Sequence, residues 1–301
     1  MSAPLSIAQR ADGTSRSAGR RVTAAALVVL LLLVATGAWL LWDNRRLDVT
    51  THDVVIDPLP PALDGLRIAQ VSDLHAADFG DFRKRVVSSV GEAQPDLIAL
   101  TGDLIDYRTT ELASVLDMAE QLQAIAPAYF VLGNHEADSP VLEELLAGLA
   151  DRGVVVLRDE AVQIEIDGAE LTMVGLDDPR VRASGRAEPR EPAEVLAELD
   201  LPEDSPTVLL AHRPELLEGY LGIGVDLVFS GHAHGGQVRI PWVGGLYAPH
   251  QGTFPALSEG VHEREGTSMV ISRGLGNSIA GVRVNNPREL VIVELRREGS
   301  A

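Results

Sequence analysis

Five short apolar runs, each ending in a polar cluster, constrain the fold of this chain more than any other feature of its sequence. The runs are Leu66–Asp73, Asp96–Asp103, Ala128–Glu136, Thr207–Glu215 and Asp226–Gly236. Each is typical of a buried strand whose C-terminal loop carries polar residues. Segments with the helical spacing of apolar residues follow the first three runs, at 82–93, 111–125 and 140–151. This alternation predicts a layered α/β fold.

A second sheet is predicted from the segment Val154–Leu176, where short apolar strands replace the alternation and an Asp167–Gly168 turn suits a hairpin. The C-terminal segments Ser268–Gly276 and Arg288–Arg296 predict further strands. We therefore expect a two-sheet β-sandwich flanked by helices, in four layers. Two polar segments, 177–192 and 254–268, are interpreted as loops, either a substrate lid or a disordered excursion.

The N-terminal part of the chain contains 21 residues without a charge, Val22–Trp42. At a rise of ~1.5 Å per residue, such a helix matches a hydrocarbon layer of ~30 Å. We predict an uncleaved transmembrane anchor; a cleaved signal peptide and a buried core helix are the alternatives. The Arg20–Arg21 pair before the run also permits a twin-arginine export signal.

The charges around this apolar run predict its orientation. Four arginines precede it and only Arg45 and Arg46 follow it closely, which places the N-terminus in the cytoplasm. The protein is thus expected to be a single-pass protein of the cell membrane with an extracytoplasmic catalytic domain. The expected division is a disordered cytoplasmic segment 1–21, the anchor 22–42, a linker with the first strand 43–65, and the domain 66–301.

Charge and cysteine content exclude several classes of site. The formal net charge of −19 opposes binding to nucleic acid, whose phosphates select faces rich in Lys and Arg. The chain has no cysteine, which excludes disulfides, thiolate nucleophiles and sulfur-ligated metals. A metal in this protein must be held by nitrogen and oxygen ligands.

The polar clusters form an ordered set of motifs: D-x-H at Asp73, G-D at Gly102, G-N-H-E at Gly133, a single His212, and G-H-x-H at Gly231. Ligands of α/β sheets bind at the carboxyl ends of strands, where all five motifs are predicted to lie. In order and spacing they resemble the calcineurin-like metallophosphoesterases over 66–236. The following tail, 235–252, resembles the small membrane-associated bacterial branch of that family, a phosphodiesterase branch.

The resemblance implies a site with two divalent metal ions, for which Mn²⁺ is favoured and Fe or Zn²⁺ are acceptable. Carboxylate, amide and neutral imidazole donors suit these metals and leave coordination positions open. By the family pattern, Asp103 would bridge the two metals and His135 would protonate the leaving oxygen. The ligands would be Asp73, His75 and His234 for one metal, and Asn134, His212 and His232 for the other.

The function implied by the resemblance is hydrolysis of a phosphodiester or pyrophosphate bond by a hydroxide that bridges the metals. The membrane anchor suggests a lipid-linked substrate, and a nucleotide substrate stays open. The alternatives are a phosphomonoesterase, including a protein phosphatase, and a non-catalytic metal-binding scaffold tethered to the membrane. His135 separates the scaffold from the enzyme, because metal binding does not require it.

Five further residues lie near these motifs or share their residue types. Asp106 could hydrogen-bond a metal-binding imidazole or cap a helix. Arg213 could meet a substrate phosphate or pair with Glu215. His250 lies in the family-like tail, outside the predicted metal site, and could border the substrate pocket. His52 and His262 are likewise placed outside the metal site.

Overall fold

The structure, a computed structural model, describes residues 12–77, 81–185, 190–277 and 281–299. The chain forms two compact units, Met1–Asp43 and Asn44–Ala301. In the first, a helix α1 (Asp12–Asp43) contains one stretch, Arg20–Asp43, long and apolar enough to cross a membrane. The structure differs here from the predicted disorder over 1–21, since residues 12–21 are helical. Residues 1–11 lie outside the described part.

The second unit alternates strands and helices as its sequence predicts. Its helices are α2 (Phe82–Ala93), α3 (Ala113–Gln123), α4 (Asn134–Ala137), α5 (Leu142–Ala150), α6 (Pro179–Ala183) and α7 (Pro192–Glu198). Its strands are β1 (Leu47–Ile56), β2 (Arg67–Val71), β3 (Leu97–Leu100), β4 (Ala128–Phe130), β5 (Val155–Val156), β6 (Glu160–Ile166), β7 (Ala169–Gly175), β8 (Thr207–Leu210), β9 (Leu227–Ser230), β10 (Arg239–Ile240), β11 (Gly244–Gly245), β12 (Tyr247–Ala248), β13 (Gly252–Thr253), β14 (Gly260–Arg264), β15 (Thr267–Ile271) and β16 (Arg288–Arg297).

The first sheet has the strand order β1-β16-β2-β3-β4-β5. Strands β2 to β5 are parallel to one another, whereas β16 is antiparallel to β2 and parallel to β1. The short apolar strands in its centre are buried on both faces, as the continuous apolar runs predict. The carboxyl ends of β2, β3 and β4 therefore open at one edge.

The second sheet has the order β14-β15-β9-β8-β7-β6. Strands β7, β8, β9 and β15 are parallel, and the outer strands β6 and β14 join as hairpins. The predicted turn at Asp167–Gly168 connects β6 to β7, and both of its residues have positive φ. The carboxyl ends of β8 and β9 carry the remaining motifs.

Three clusters of buried apolar side chains arrange these elements in four layers. Alternate residues of β3 face opposite ways: Ala99 lies in the core between the sheets, with Phe229 of β9, and Ile98 faces the helices. Helices α2, α3 and α5 cover the first sheet, and α7 covers the second. The predicted two-sheet sandwich flanked by helices is confirmed.

Two segments interpreted as loops contain regular structure. The segment 177–192 forms α6, whose Val181 is fully buried, and reaches the start of α7, where Pro192 occupies the first turn. Pro is favoured there because its missing N–H would have no helical partner. The segment 254–268 contains β14, an edge strand paired with β15. Both elements are too short for their apolar spacing to mark them in the sequence. Residues 186–189 lie outside the described part.

Candidate metal centre

The loops after four parallel strands and the start of α4 bring the predicted ligands to one buried place. Asp73 and His75 follow β2, and Asp103 follows β3. The backbone N–H of His232, after β9 of the other sheet, donates to the Asp73 carboxylate at 3.0 Å. The two sheets thus meet at this edge. The remaining members are Asn134 at the start of α4, His212 after β8 and His234 after β9.

Two groups of potential metal donors lie side by side in this place. In the first, Asp73, His75 and His234 offer donor atoms within 4.8 Å of one another. The Nε2 atoms of His75 and His234 are 3.0 Å apart, and Nε2 of His234 is 3.3 Å from Oδ1 of Asp73. In the second group, Asp103, His212 and His232 also lie within 4.8 Å. Either group could hold a metal ion.

Asp103 lies between the two groups. Its Oδ2 is 3.3 Å from Nε2 of His212 and 3.8 Å from Nε2 of His75. Its Oδ1 accepts the backbone N–H of His135 at 2.8 Å, which fixes the carboxylate plane. A carboxylate held in this way can offer an oxygen to both groups.

The donor set fits divalent metal ions, as its unpartnered atoms show. Among the described residues, Oδ1 of Asn134 and Nε2 of His212 and of His232 are buried without a hydrogen-bond partner. Buried polar atoms are normally satisfied, so the unpartnered Nε2 of His232 and Oδ1 of Asn134 need a ligand. Nδ1 of His212 lies 2.8 Å from the Thr101 carbonyl. This contact leaves Nε2 free to face a metal when the ring is neutral.

The backbone is strained at the same residues. Asp73, His75, Asp103, His232 and His234 have φ between 48° and 64°, in the left-handed region. Non-glycine residues rarely adopt this conformation, and such outliers concentrate at functional sites. The strain turns five side chains out of the strand direction toward a common centre.

Two glycines of the motifs are required because neighbouring side chains approach their backbone closely. A Cβ atom on Gly133 would overlap the Asp103 carboxylate, and one on Gly231 would overlap the side chains of Ser72 and Asp73. The glycines of G-N-H-E and G-H-x-H therefore leave room for the donor carboxylates.

Burial decides the charge of most of these imidazoles. It lowers the pKa of His75 to about 4 and the pKa values of His232 and His234 well below the usual range. Neutral imidazole is the form that binds metals. For His212, burial is the largest single cause and lowers the pKa, but the charge of Asp103, its hydrogen bond to the ring and the charges of Asp73 and Asp178 together outweigh burial and raise the pKa to about 10. In the metal-free protein His212 therefore keeps a proton at neutral pH.

Glu136 is a structural member of the site to which the sequence analysis assigned no role, although it ends the G-N-H-E motif. Its buried carboxylate accepts the backbone N–H groups of Asp103, Ile105 and Gly133, at 2.8, 3.0 and 2.8 Å. Burial raises its pKa to about 7. Glu136 thus ties the loop after β3 to the loop after β4.

His135 lies beside the two groups of donors. Its ring meets that of His75 edge-on at 4.5 Å, and its Nε2 is 3.9 Å from Oδ2 of Asp103. Its Nδ1 lies 3.4 Å from the Asp106 carboxylate and 3.3 Å from the backbone N of Tyr107. Asp106 therefore contacts His135 directly, and its other oxygen accepts the N–H of Arg108 at 2.9 Å.

Arg213 is engaged by acids rather than open to a ligand. Its guanidinium binds Asp178 through two hydrogen bonds of 2.7 and 3.0 Å, and a third atom lies 3.5 Å from Glu215. The ion pair expected with Glu215 is present, and the stronger partner is Asp178. No pattern in the sequence points to this pair, since the two residues lie 35 positions apart.

His250 comes closer to the centre than the sequence suggested. Its ring stacks on that of His232, with centroids 5.5 Å apart, and together with Glu215 the two histidines form a further group of donor atoms within 4.8 Å. His262 instead lies on β14, 3.0 Å from the Glu259 carbonyl, and His52 lies on β1.

A fully buried arginine, Arg283, supports the first group from behind. Its guanidinium donates to the carbonyls of Gly276 and Arg273 at 2.6 and 2.7 Å, and lies 3.2 Å from Nδ1 of His234. Burial lowers its pKa to about 9. No motif in the sequence pointed to this residue.

A two-sheet sandwich with carboxylate, amide and imidazole donors gathered at its strand ends has the architecture of a metallophosphoesterase. The family model of calcineurin-like phosphoesterases matches residues 66–236, more than half of the chain. The chain belongs to this family, which is one of phosphoric ester hydrolases. The resemblance drawn from the motifs is confirmed.

Three relatives show what the chain is similar to. It is 26% identical to an uncharacterised metallophosphoesterase, YkuE, of Bacillus subtilis, over 84% of this chain and 87% of the relative. It is 30% identical to the phosphodiesterase YaeI of Escherichia coli, over 68% of this chain and 72% of the relative. A transmembrane protein with a metallophosphoesterase domain from Bos taurus is 29% identical, over 84% of this chain and 61% of that longer protein.

Proposed function

We propose that this protein is a phosphodiesterase that uses two divalent metal ions, with Mn²⁺ favoured. The observation that carries the proposal is the position of Asp103 between two groups of donors, beside which Nε2 of His232 and Oδ1 of Asn134 are buried without a partner. One metal would be held by Asp73, His75 and His234. The other would be held by Asn134, His212 and His232, with Asp103 shared.

The metals, when bound, would lower the pKa of a shared water and neutralise charge on the phosphoryl oxygens. This chain's residues then supply positioning. Glu136 and the backbone of His135 hold Asp103 in one orientation through the bonds described above. Arg213 is committed to Asp178, so it acts on the loop after β8 and not on the phosphate.

His135 is proposed as the general acid. It is buried, and its Nε2 lies 3.9 Å from Oδ2 of Asp103, while Nδ1 accepts the N–H of Tyr107 at 3.3 Å with the Asp106 carboxylate 3.4 Å away. A ring fixed at Nδ1 can present Nε2 to the oxygen of a leaving group. Asp106 orients this ring and is a positioning residue.

The preference for diesters and the membrane location are supported by different observations. The E. coli relative is named a phosphodiesterase, which favours diesters over monoesters for this chain. The apolar helix and the relative named a transmembrane protein support a single-pass membrane protein, and the arginine bias favours an extracytoplasmic domain. A lipid-linked phosphate ester is therefore the substrate class we propose.

The test is a metal-resolved assay of the full-length protein in detergent micelles. Metal-depleted protein is reloaded with Mn²⁺, Fe²⁺ or Zn²⁺ and offered bis-p-nitrophenyl phosphate and p-nitrophenyl phosphate. We expect metal-dependent hydrolysis with the diester preferred. A preference for the monoester would support the phosphomonoesterase alternative. Two bound metals without turnover on either ester would support the scaffold.

A further inference from the structure

A stretch without charged residues follows the G-H-x-H motif. Residues 240–258 contain no Asp, Glu, Lys or Arg over 19 positions, in a chain of which 23% is charged and whose net charge is −19. The membrane candidate Val22–Trp42, 21 residues long, is comparably free of charge. In an acidic protein, a charge-free surface stretch is suited to contact with an apolar partner.

This stretch forms two small hairpins that are joined to each other. Strands β10 and β11 pair antiparallel, and so do β12 and β13. Leu246 joins the two hairpins: its N–H donates to the carbonyl of Val238 at 2.7 Å, next to β10, and its carbonyl accepts the N–H of Phe254 at 2.9 Å, at the end of the second hairpin. The residues between 239 and 254 therefore form one surface feature.

The hairpins expose their large apolar side chains. Trp242 is fully exposed, and Val243, Tyr247 and Phe254 are each more than half exposed, with Ile240 beside them at 39%. Among the described residues of 44–299, these are five of the eleven large apolar side chains that are exposed. Single exposed apolar residues are ordinary, but a group of this kind marks an interaction site. We call these five residues the apolar face.

The backbone of the apolar face is strained to present its aromatic residues. The N–H of Val243 donates to the carbonyl of Ile240 at 3.0 Å, closing a turn in which Pro241 is second and Trp242 third. Trp242 has φ of 64°, at a position where glycine is preferred, and Phe254 has φ of 56°. The side chain of Trp242 is not buried within the domain, so no packing there offsets the backbone strain. Strain of this kind points to a contact outside it.

The apolar face lies close to the place where the chain enters the domain. Asn44, which directly follows α1 in the chain, exchanges two hydrogen bonds of 2.7 Å with the backbone of Arg283. The next residue, Val284, bridges to Val238, and its carbonyl accepts the N–H of Arg239 at 2.9 Å. Arg239 begins β10. Two hydrogen-bonded steps thus connect the start of the domain to the apolar face.

We propose that the apolar face inserts into the interfacial layer of the phospholipid bilayer that α1 crosses. Trp and Tyr are the side chains enriched at this layer, since their rings combine apolar area with a polar tip. The lack of acidic residues avoids repulsion by anionic headgroups. The partner is therefore a bilayer surface, and the contact itself does not depend on catalysis.

This contact places the metal centre at the headgroup layer. His250 lies in the turn of the second hairpin and stacks on His232 of the donor group. His250 thus connects the hairpin that carries Tyr247 and Phe254 of the apolar face to the donor groups. As a consequence that rests on the proposed function, phosphate esters in lipid headgroups would reach the centre without leaving the membrane.

The absence of cysteine allows a direct test in the full-length protein. The variant Trp242→Cys is labelled with an environment-sensitive nitrobenzoxadiazole dye and reconstituted into phosphatidylcholine and phosphatidylglycerol vesicles. We expect blue-shifted emission, quenching by lipids that carry nitroxides at shallow depth, and protection from iodide. A second variant, Phe254→Cys, gives the same measurement at the other hairpin.

The matched control is Ala147→Cys, an exposed position on α5. This helix packs near β5, at the edge of the first sheet opposite to β1. Its label should be quenched by iodide and not by the nitroxide lipids. The proposal is overturned if the labels at 242 and 254 behave like the control. It is equally overturned if they are shielded from iodide without quenching by lipid, because a second copy or another protein then covers the face. No readout depends on hydrolysis.

Discussion

Oδ2 of Asp103 lies 3.3 Å from Nε2 of His212, inside a fully buried site. Burial lowers the pKa of His212, but the charge of Asp103, its hydrogen bond to the ring and the charges of Asp73 and Asp178 together outweigh burial and raise this pKa to about 10. A metal that binds Nε2 must displace this proton. Between the ordinary histidine pKa and about 10, metal binding should therefore release a proton and become tighter as the pH rises.

Isothermal calorimetry at pH 8 measures this release. Mn²⁺ is titrated into metal-depleted protein in two buffers with different protonation enthalpies, and the difference gives the protons released. We expect at least one proton to be released, that of His212. The His75→Asn variant should release it as well, because burial lowers the pKa of His75 to about 4 and leaves it neutral at pH 8. Binding heats that do not depend on the buffer would contradict the Asp103–His212 coupling.

The role of His135 predicts a loss of activity that depends on the leaving group. His135→Ala should keep both metals and lower kcat by roughly 10²–10⁴ on a substrate with an alkoxide leaving group. The loss should be smaller with p-nitrophenolate, which departs without a proton. The measurement compares kcat on an alkyl and an aryl diester.

A matched control for this variant is His52→Ala, which removes a histidine on β1. It should leave both rates unchanged. Equal losses on the two diesters in His135→Ala would indicate charge stabilisation instead of proton transfer. Unchanged rates with both metals retained would remove His135 from the mechanism.

The fold could be predicted from the sequence, and the candidate ligands placed at one edge of it, because both depend on local patterns. Apolar runs such as 97–100 have the length of buried strands, and the motif residues stand where those strands end. In parallel sheets the carboxyl ends of the strands meet at one edge, so the sequence alone is enough to place Asp73 and Asp103 close together.

Contacts between residues far apart in the chain could not be predicted in this way. Arg283 meets His234 across 49 positions, and the pairing of Asn44 with Arg283 spans 239. Neither contact leaves a periodic signal. The apolar face was missed for another reason. In the sequence its residues are recognisable only as a tail typical of the family. Sequence alone does not tell an exposed apolar residue from a buried one.

Gly231 provides a test of the close packing around Asp73. A Cβ atom at this position would overlap the side chains of Ser72 and Asp73, although the backbone φ itself would tolerate alanine. Gly231→Ala should therefore weaken metal retention, measured by elemental analysis after dialysis against a mild chelator. Gly281→Ala, where a Cβ meets nothing within 4 Å, is the control. Equal retention in both variants would show that Asp73 can move without loss of the metal.

The orientation of the membrane segment has a topological test. Four arginines precede the apolar run and two follow it, so a reporter fused after Arg297 should lie outside the cytoplasm. Alkaline phosphatase at this position should be active, and green fluorescent protein exported by the general secretion route should stay dark. The opposite pair of signals would place the domain in the cytoplasm.

The central claim is that Asp103 is shared by two metal ions, and its most direct test is the metal content of Asp103→Asn. An amide bridges two cations poorly compared with a carboxylate, so elemental analysis should find two metal ions per chain in the wild type and one or none in the variant, with hydrolysis of the diester abolished. Asp117→Asn, an exposed position on α3, should keep both metals and full activity. Two retained metals with near-normal turnover in Asp103→Asn would contradict the account.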